Sequence, residues 1–220
     1  ILSWDNVAVN PVQLAAGLLN DAVRRGATLL SPVAVRELKH GRGHITALTD
    51  TDCAIRARHV VFATGYEIPD YIQSKRHKIT TTWAIATEPI AAETLRALPI
   101  IWEAADPYLY LRATTDGRLI CGGEDEEFSD EEKRDALLPE KTALIEQKLR
   151  ALLPDLPFRV ADRWAGAFGT STTGLPSIGL LPGFGNLYAA LGYGGNGITF
   201  SAIAADLLTT RLQGQRDVDE

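Results

Sequence analysis

Hydrophobic positions change their period several times along the chain, and each change marks an element. Between Asn10 and Gly26, Val12, Ala15, Ala16, Leu19, Ala22 and Val23 recur on one face at helical spacing. Asn10 suits an N-cap, Pro11 the first helical position and Gly26 the far end. The short apolar run Ala27 to Leu30 and the alternating segment Val33 to Leu38 follow. Gly41-Arg42-Gly43 and Asp50-Thr51-Asp52 are turn signals on either side of Ile45 to Leu48, with Cys53 to Ala57 beyond. Together these segments predict a helix, a strand and a small meander of strands. His59-Val60-Val61-Phe62-Ala63-Thr64-Gly65 places an unbroken apolar run before a small-residue turn, the pattern of a strand buried on both faces inside a parallel sheet.

The middle of the chain is strand-rich, around Thr80 to Thr87, Tyr108 to Arg112 and Leu119 to Gly122, the last two forming a hairpin about Thr115-Asp116-Gly117. Ser129 with Glu132 reads as a capping box that opens a helix interrupted by Pro139, and a second helix runs from Glu140 to Leu153. Leu187 to Leu191 is a small apolar strand. A loop rich in glycine follows, Gly192-Tyr193-Gly194-Gly195-Asn196-Gly197, and then a helix from Ile198 to Leu212 that closes at Gly214. The fold class is a mixed α/β arrangement.

Composition narrows the function. The 220 residues carry 22 Lys+Arg against 28 Asp+Glu, a net charge of −6, and are 45% hydrophobic, which excludes disorder and leaves one large or two small domains. The acidic balance offers no basic stripe for nucleic acid, and no apolar run approaches the roughly 18 residues of a membrane span. Cys53 and Cys121 are too few for a disulfide framework, and the four histidines, His40, His44, His59 and His77, lack metal spacing. A reducing cytoplasm fits this usage. There is no Met and no signal peptide, and the opening helix lacks a preceding partner, so a piece of a longer protein is expected. The acidic run Glu124 to Glu127 reads as a solvated loop, with some capacity to attract a polyamine-like cation.

The strand, glycine loop and helix at the end carry the strongest chemical signal. The first N–H groups of a helix have no internal partners, and the helix dipole adds partial positive charge there. Glycines at 192, 194, 195 and 197 let a flat or anionic ligand approach the backbone, with Asn196 and Thr199 as side-chain contacts. The plainer alternative is a tight turn in which glycine only supplies positive φ. The loop has neither the Walker A ending nor the GxGxxG spacing.

Four stretches resemble one family: the opening helix through Val35, the strand His59 to Gly65, Tyr110 through Gly123, and Trp164 to Gly214. They are similar to the carboxy-terminal portion of FAD-dependent amine and amino-acid oxidoreductases of the D-amino-acid oxidase family. Thr87-Glu88-Pro89 and Tyr110-x-Arg112 with Gly122-Gly123 look most like its branch that includes gamma-glutamylputrescine oxidases. The resemblance implies the remainder of a Rossmann-like FAD-binding domain, residues 1–75 and 166–220, around an antiparallel-sheet substrate domain, 76–165. It also implies that the pyrophosphate-binding GxGxxG unit comes from a missing N-terminal half or a second chain, because Gly183-Phe184-Gly185 lacks the third glycine.

Carried over by position, the resemblance implies non-covalent FAD contacts at Val35, at Ala63, Thr64 and Gly65, and at Gly194, Gly195, Asn196, Gly197, Ile198 and Thr199. Ala63 to Gly65 equally suit a buried strand end. Tyr110 and Arg112 are the candidate catalytic residues: Tyr110 is either an active-site tyrosine or a core aromatic, and Arg112 either meets a distal carboxylate or sits in a structural ion pair. Arginines that clamp a substrate carboxylate in glycine oxidase-like members would fall at Phe168 and Gly195, where this chain has none. An amine or N-substituted amino compound is therefore the expected small-molecule substrate, oxidised by hydride transfer to flavin with oxygen as acceptor. A dehydrogenase with another acceptor and a non-catalytic module that binds no flavin by itself stand as alternatives.

Overall fold

The computed structural model describes residues 7–67, 72, 77–96 and 98–214. In chain order the elements open with α1 (Pro11–Arg24), β1 (Val35–Gly41), β2 (His44–Thr49), β3 (Ala54–Ala57) and β4 (Val60–Phe62). Next come β5 (His77–Thr87), α2 (Ala92–Arg96), β6 (Ile101–Trp102), β7 (Leu109–Ala113) and β8 (Leu119–Glu126). Then follow α3 (Glu131–Ala136), α4 (Leu138–Leu152), β9 (Val160–Ser171), β10 (Ser177–Leu180), β11 (Leu187–Leu191) and α5 (Gly197–Leu212). They fall into two compact units, one of residues 7–62, 179–189 and 201–214, the other from 63–178 and 190–200.

In the first unit, Asn10 caps α1 as expected, its side-chain oxygen accepting from Val12 N and Gln13 N at 3.1 Å each. Gly26 ends it at φ +100°, a conformation that favours glycine. The apolar stripe is present yet open: among the described residues none of α1 is buried, and Val12 and Leu19 are 76% and 48% exposed. Ala27 to Leu30 forms no strand. The meander is antiparallel in the order β1-β2-β3, and Ile45, Ala47 and Thr49 of β2 alternate inward.

β4 and β11 pair in parallel, Val60 opposite Leu187 and Phe62 opposite Ala189. The parallel pairing agrees with the sequence pattern, but burial on both faces holds for β11 rather than β4. Phe62 is buried while Val61 remains 38% exposed, because β4 is the edge strand of its three-stranded sheet.

The second unit is built on an antiparallel sheet of order β6-β7-β8-β5-β9. The expected hairpin of β7 and β8 is there, turning through Gly117 at φ +83°. β9 pairs with β5 along the whole length of β5, from His77 opposite Ser171 to Thr87 opposite Val160. On one face Trp83, Ile85, Leu109, Leu111, Leu119 and Cys121 pack against Ile145 and Leu149 of α4. Polar groups entering this core are partnered. Trp83 Nε1 donates to Arg134 O at 3.2 Å, Thr81 Oγ1 to Phe128 O at 2.8 Å, and Leu119 N to Thr87 Oγ1 at 3.0 Å. Burial pushes the Cys121 thiol up to about 12, which makes it an inert packing group.

Two helix boundaries differ from the sequence expectation. The cap of α3 is Asp130, not Ser129, because the Asp130 carboxylate accepts from Lys133 N at 2.9 Å. Pro139 stands in the first turn of α4, where its missing N–H is tolerated, so it opens the second helix after a break at Leu137. No helix among the described residues is long and apolar enough to cross a membrane.

Truncating the fully buried Leu149 to Ala is expected to cost about 2–5 kcal/mol by denaturant titration. Leu175, 62% exposed in the same unit, should tolerate Leu175→Ala within about 0.5 kcal/mol.

Candidate active site

The glycine loop lies where β11 gives way to α5. Gly192 and Gly194 adopt φ of +75° and +56°, and a 3-10 turn over Gly194–Asn196 leads into α5 at Gly197. A β-carbon at Gly192 would strike the His77 imidazole, so that glycine is required by packing. Gly194, Gly195 and Gly197 are different, since a β-carbon on any of them would meet nothing within 4 Å. Their backbone faces open space at a helix N-terminus, as a loop that receives a ligand would.

The Ala63-Thr64-Gly65 turn belongs to the same unit. Gly65 has φ +68°, Glu67 N donates to Thr64 O at 3.3 Å, and the Thr64 hydroxyl donates to Glu67 O. The Thr64 hydroxyl is thus engaged within its own turn, and the exposed face of Ala63 to Gly65 is backbone and Cβ. The turn and the glycine loop converge on β9. A β-carbon built on Gly169 would lie 3.8 Å from Gly192 Cα and 3.9 Å from Tyr66 Cδ1. Val35 lies in the other unit, 53% exposed, at an irregularity in the β1–β2 register.

Tyr110 and Arg112 project from β7 on the sheet face opposite α4. Cross-strand pairing sets Trp102, Tyr110, Gly122, Ala84 and Trp164 in one row across five strands. Gly122 is the necessary gap in that row, because a β-carbon there would overlap the Tyr110 ring and approach Trp83 O to 3.0 Å. Gly123, at φ +143°, lies against Tyr108 O with equally little room. Tyr110 is half-buried, and burial, then the charge of Asp125, holds its phenol above the ordinary value. Tyr108 is raised further by burial and by the same carboxylate. Arg112 makes no ion pair among the described residues, so the structural ion pair offered as one reading of it is not found.

The acidic run is not a solvated loop. β8 continues through it to Glu126, with a one-residue bulge between Gly123 and Glu126. Glu124, 3% exposed and at φ +58°, pairs with Lys148; Glu126 pairs with Lys141, and Glu127 with Lys78. Asp125 falls on the opposite face, hydrogen-bonded to the Tyr108 phenol, and Thr82 on β5 is hydrogen-bonded to the Tyr110 phenol. Sequence reasoning left Thr82 and Tyr108 as strand residues, took His77 only as a histidine without metal spacing, and read Asp125 only within the acidic run. The one available signal was the pair of glycines preceding four carboxylates, which marks a bulge able to turn alternate acids to opposite faces.

Among the described residues no group of three His, Cys, Asp or Glu side chains is placed to hold a metal ion. A cavity of about 500 Å³ bounded by Glu88, Pro89, Ile90, Arg150, Phe158 and Arg159 adjoins the Thr87 end of β5, away from the His77 end and the glycine loop.

The sequence model of the FAD dependent oxidoreductase family matches residues 1–211. The chain belongs to this family. Gamma-glutamylputrescine oxidoreductase of Escherichia coli is 27% identical over 218 residues, covering 95% of this chain and 49% of that protein. Glycine oxidase of Pseudomonas putida is 25% identical over 189 residues, covering 80% and 47%. Among solved structures, iminodiacetate oxidase from Chelativorans sp. has the same mixed α/β fold with a TM-score of 0.77, at 21% identity over 93% of this chain and 55% of that one. The chain spans about half the length of the curated relatives it matches. FAD is the cofactor of the family. The residues present fit part of it: open backbone at Gly194, Gly195 and Gly197 beside a helix N-terminus suits the polar edge of a flat ring.

Gly122→Ala should destabilise the chain by about 1–3 kcal/mol, since the Tyr110 ring has nowhere to go, while Gly195→Ala should leave thermal stability unchanged. Burial also lowers the His77 imidazole below its ordinary value. The unfolded chain therefore takes up that proton first, and the contribution is full above about pH 6.5 and lost as pH falls below it. Denaturant titrations at stepped pH should show this decline, and His77→Gln should flatten it.

Proposed function

We propose that the protein carrying this chain is an FAD-dependent oxidoreductase that oxidises the C–N bond of an amine or N-substituted amino compound, with dioxygen as acceptor. The observation that carries this reading is the open glycine loop at the start of α5, set beside a sheet face that lacks an arginine at Phe168. FAD, when bound, supplies the hydride acceptor for the C–N bond. The backbone of Gly194 to Thr199 holds the ring edge on which negative charge develops, and the α5 dipole stabilises that charge without reorganising. Ala63, Thr64 and Gly65 in the second unit, and Val35 in the first, are further residues that would contact the cofactor. The pyrophosphate-binding glycines come from an N-terminal half or a second chain.

On the substrate side, residues 76–165 act as a substrate domain between FAD segments 1–75 and 166–220. Tyr110 keeps its proton, being raised by burial first, and so offers an O–H donor that orients the substrate. Phe168, opposite Thr80 on the same sheet face, offers no cation to an α-carboxylate. That omission favours an amine over a simple α-amino acid, because guanidinium is the group that pairs with a carboxylate bidentately. The imine formed then hydrolyses in water. The two free thiols, one exposed at Cys53 and one buried at Cys121, fit a reducing cytoplasm.

The full-length protein should carry flavin absorbance after desalting and consume oxygen with primary or secondary amines faster than with glycine. Faster turnover of glycine would overturn the substrate reading. Dye reduction without oxygen uptake would make it a dehydrogenase, and a colourless protein that takes up no added FAD would remove the enzymatic reading.

A further inference from the structure

The cavity of about 500 Å³ at the Thr87 end of β5 has no part in the flavin chemistry. Its size lies within the range of small-molecule pockets, roughly 300–1,000 Å³. β5 and β9 end their ladder here, Thr87 opposite Val160, with one extra residue of β9 between Val160 and Asp162. Glu88 N then donates to Arg159 O at 2.8 Å, which brings residues 88 and 159 side by side at the cavity. Ile90 and Phe158 pack with the core beneath α4, so the cavity opens on the α4 side of the sheet, and Tyr110 is on the other face. The glycine loop meets β5 at His77, ten residues away, or about 33 Å at 3.3 Å per residue.

Two guanidinium groups line this cavity, and they are held differently. Arg150, in the last turn of α4, stacks 4.2 Å from the centre of the Phe158 ring and donates through Nη2 to Glu146 Oε1 at 2.7 Å. Stacking fixes its plane and leaves Nε and Nη1 without a partner among the described residues. Glu146 is shared with Arg163 at 3.2 Å, so it cancels the Arg150 charge only in part. Arg159 is exposed and has neither an ion pair nor a side-chain hydrogen bond among the described residues. Glu88 does not close onto it, although their backbones bond. Two cations thus stand against one carboxylate at this cavity, in a chain of net charge −6. The rest of the wall, with Pro89, Ile90 and Pro157, is apolar. Guanidinium pairs bidentately with a planar oxyanion. One negative charge suits this wall, whereas a second would be turned back by Glu88. An apolar body on the ligand removes the prolines and Ile90 from water, which an inorganic ion would not do.

We propose that this cavity binds a small monocarboxylate with an apolar body, the carboxylate paired with Arg159 and the free edge of Arg150, the body against Pro89, Ile90 and Pro157. It is a second ligand site of this unit, on the sheet face opposite Tyr110, and it does not rest on the amine-oxidising reading. Arg159 decides the affinity, because Arg150 is already partly satisfied by Glu146.

The test is calorimetric titration of the full-length protein, with FAD added, using 3-phenylpropionate, 3-phenylpropan-1-ol and phenyl phosphate while flavin absorbance is followed. The carboxylate should bind about tenfold or more tightly than the alcohol, and more tightly than the phosphate ester, with the flavin band unmoved. Arg159→Gln should remove the preference for the carboxylate; the side chain is exposed, so the variant folds as wild type does. Glu88→Gln should tighten binding by about twofold to fivefold. Ala91→Trp, which fills the cavity, should abolish it. Equal binding of acid and alcohol overturns the proposal, and so does a preference that survives Arg159→Gln, whether or not the flavin band shifts. Weaker binding by Glu88→Gln, or tighter binding of the phosphate ester, overturns the monocarboxylate assignment. The titration reads equally on a protein that takes up no FAD, so failure of the oxidoreductase reading is seen separately.

Discussion

The antiparallel pairing of β5 with β9 on one side and β8 on the other is the constraint on which the second unit depends. β5 serves two surfaces at once. Its odd-numbered residues Trp83 and Ile85 are fully buried against α4, and its even-numbered residues Thr82 and Ala84 line the opposite face with Tyr110. The period of two in a strand makes this division automatic, and a slip of one residue would exchange core for site. Gly122 keeps the register usable. It leaves room for the Tyr110 ring to lie across β8, so that an aromatic side chain on β7 reaches over its neighbouring strand.

The bulge in β8 then does what regular pleating cannot. Three residues of β8 span the step from Gly123 to Glu126 while β5 advances from Trp83 to Thr81. Positive φ at Gly123 and Glu124 turns the Glu124 carboxylate inward to Lys148 and leaves Asp125 on the other face. An ion pair of this kind adds little net stability against an apolar replacement, since the Glu124 carboxylate loses its hydration while Lys148 stays partly in water. Its clearer effect is on register, because a one-residue shift would leave Glu124 buried without its lysine. The inward pair thereby fixes the outward position of Asp125.

Local chemistry was legible wherever a residue acts within its own turn. Asn10 and Pro11 announced α1, Gly117 the β7–β8 hairpin, and the run of glycines after Leu191 the loop before α5. That β4 belongs to a parallel pairing was legible from the apolar run Val60 to Phe62, but its partner β11 was not. Long-range partnership was not. β9 carries glycines at 166 and 169 and few buried side chains, so no alternation marked a strand of 12 residues that is held by β5 rather than by its own pattern. The acidic residues after Gly123 looked solvated because composition cannot register a bulge. Asp130 displaced Ser129 as the cap of α3 by the same kind of local choice that both residues permit, one position apart. Tyr110 was legible as a candidate, whereas Thr82 and Asp125 became neighbours of it only through strand pairing.

The two candidate regions divide the electrostatic work in a way that either alone would not allow. The glycine loop offers backbone N–H groups and a helix dipole, partial charges that stabilise a developing anion without becoming its counter-ion. A full positive charge beside that edge would bind a carboxylate as readily as it stabilised the transition state, and Gly195 and Phe168 supply none. The carboxylate on the Tyr110 face of the sheet is Asp125 of β8, beside Tyr108 and Tyr110. At an effective dielectric constant near 20, unit charges about 16 Å apart, roughly the five residues from Thr82 to His77, interact by only about 1 kcal/mol. The stretch of β5 from Thr82 to His77 thus keeps the field of this face nearly independent of the helix-terminus field at the loop.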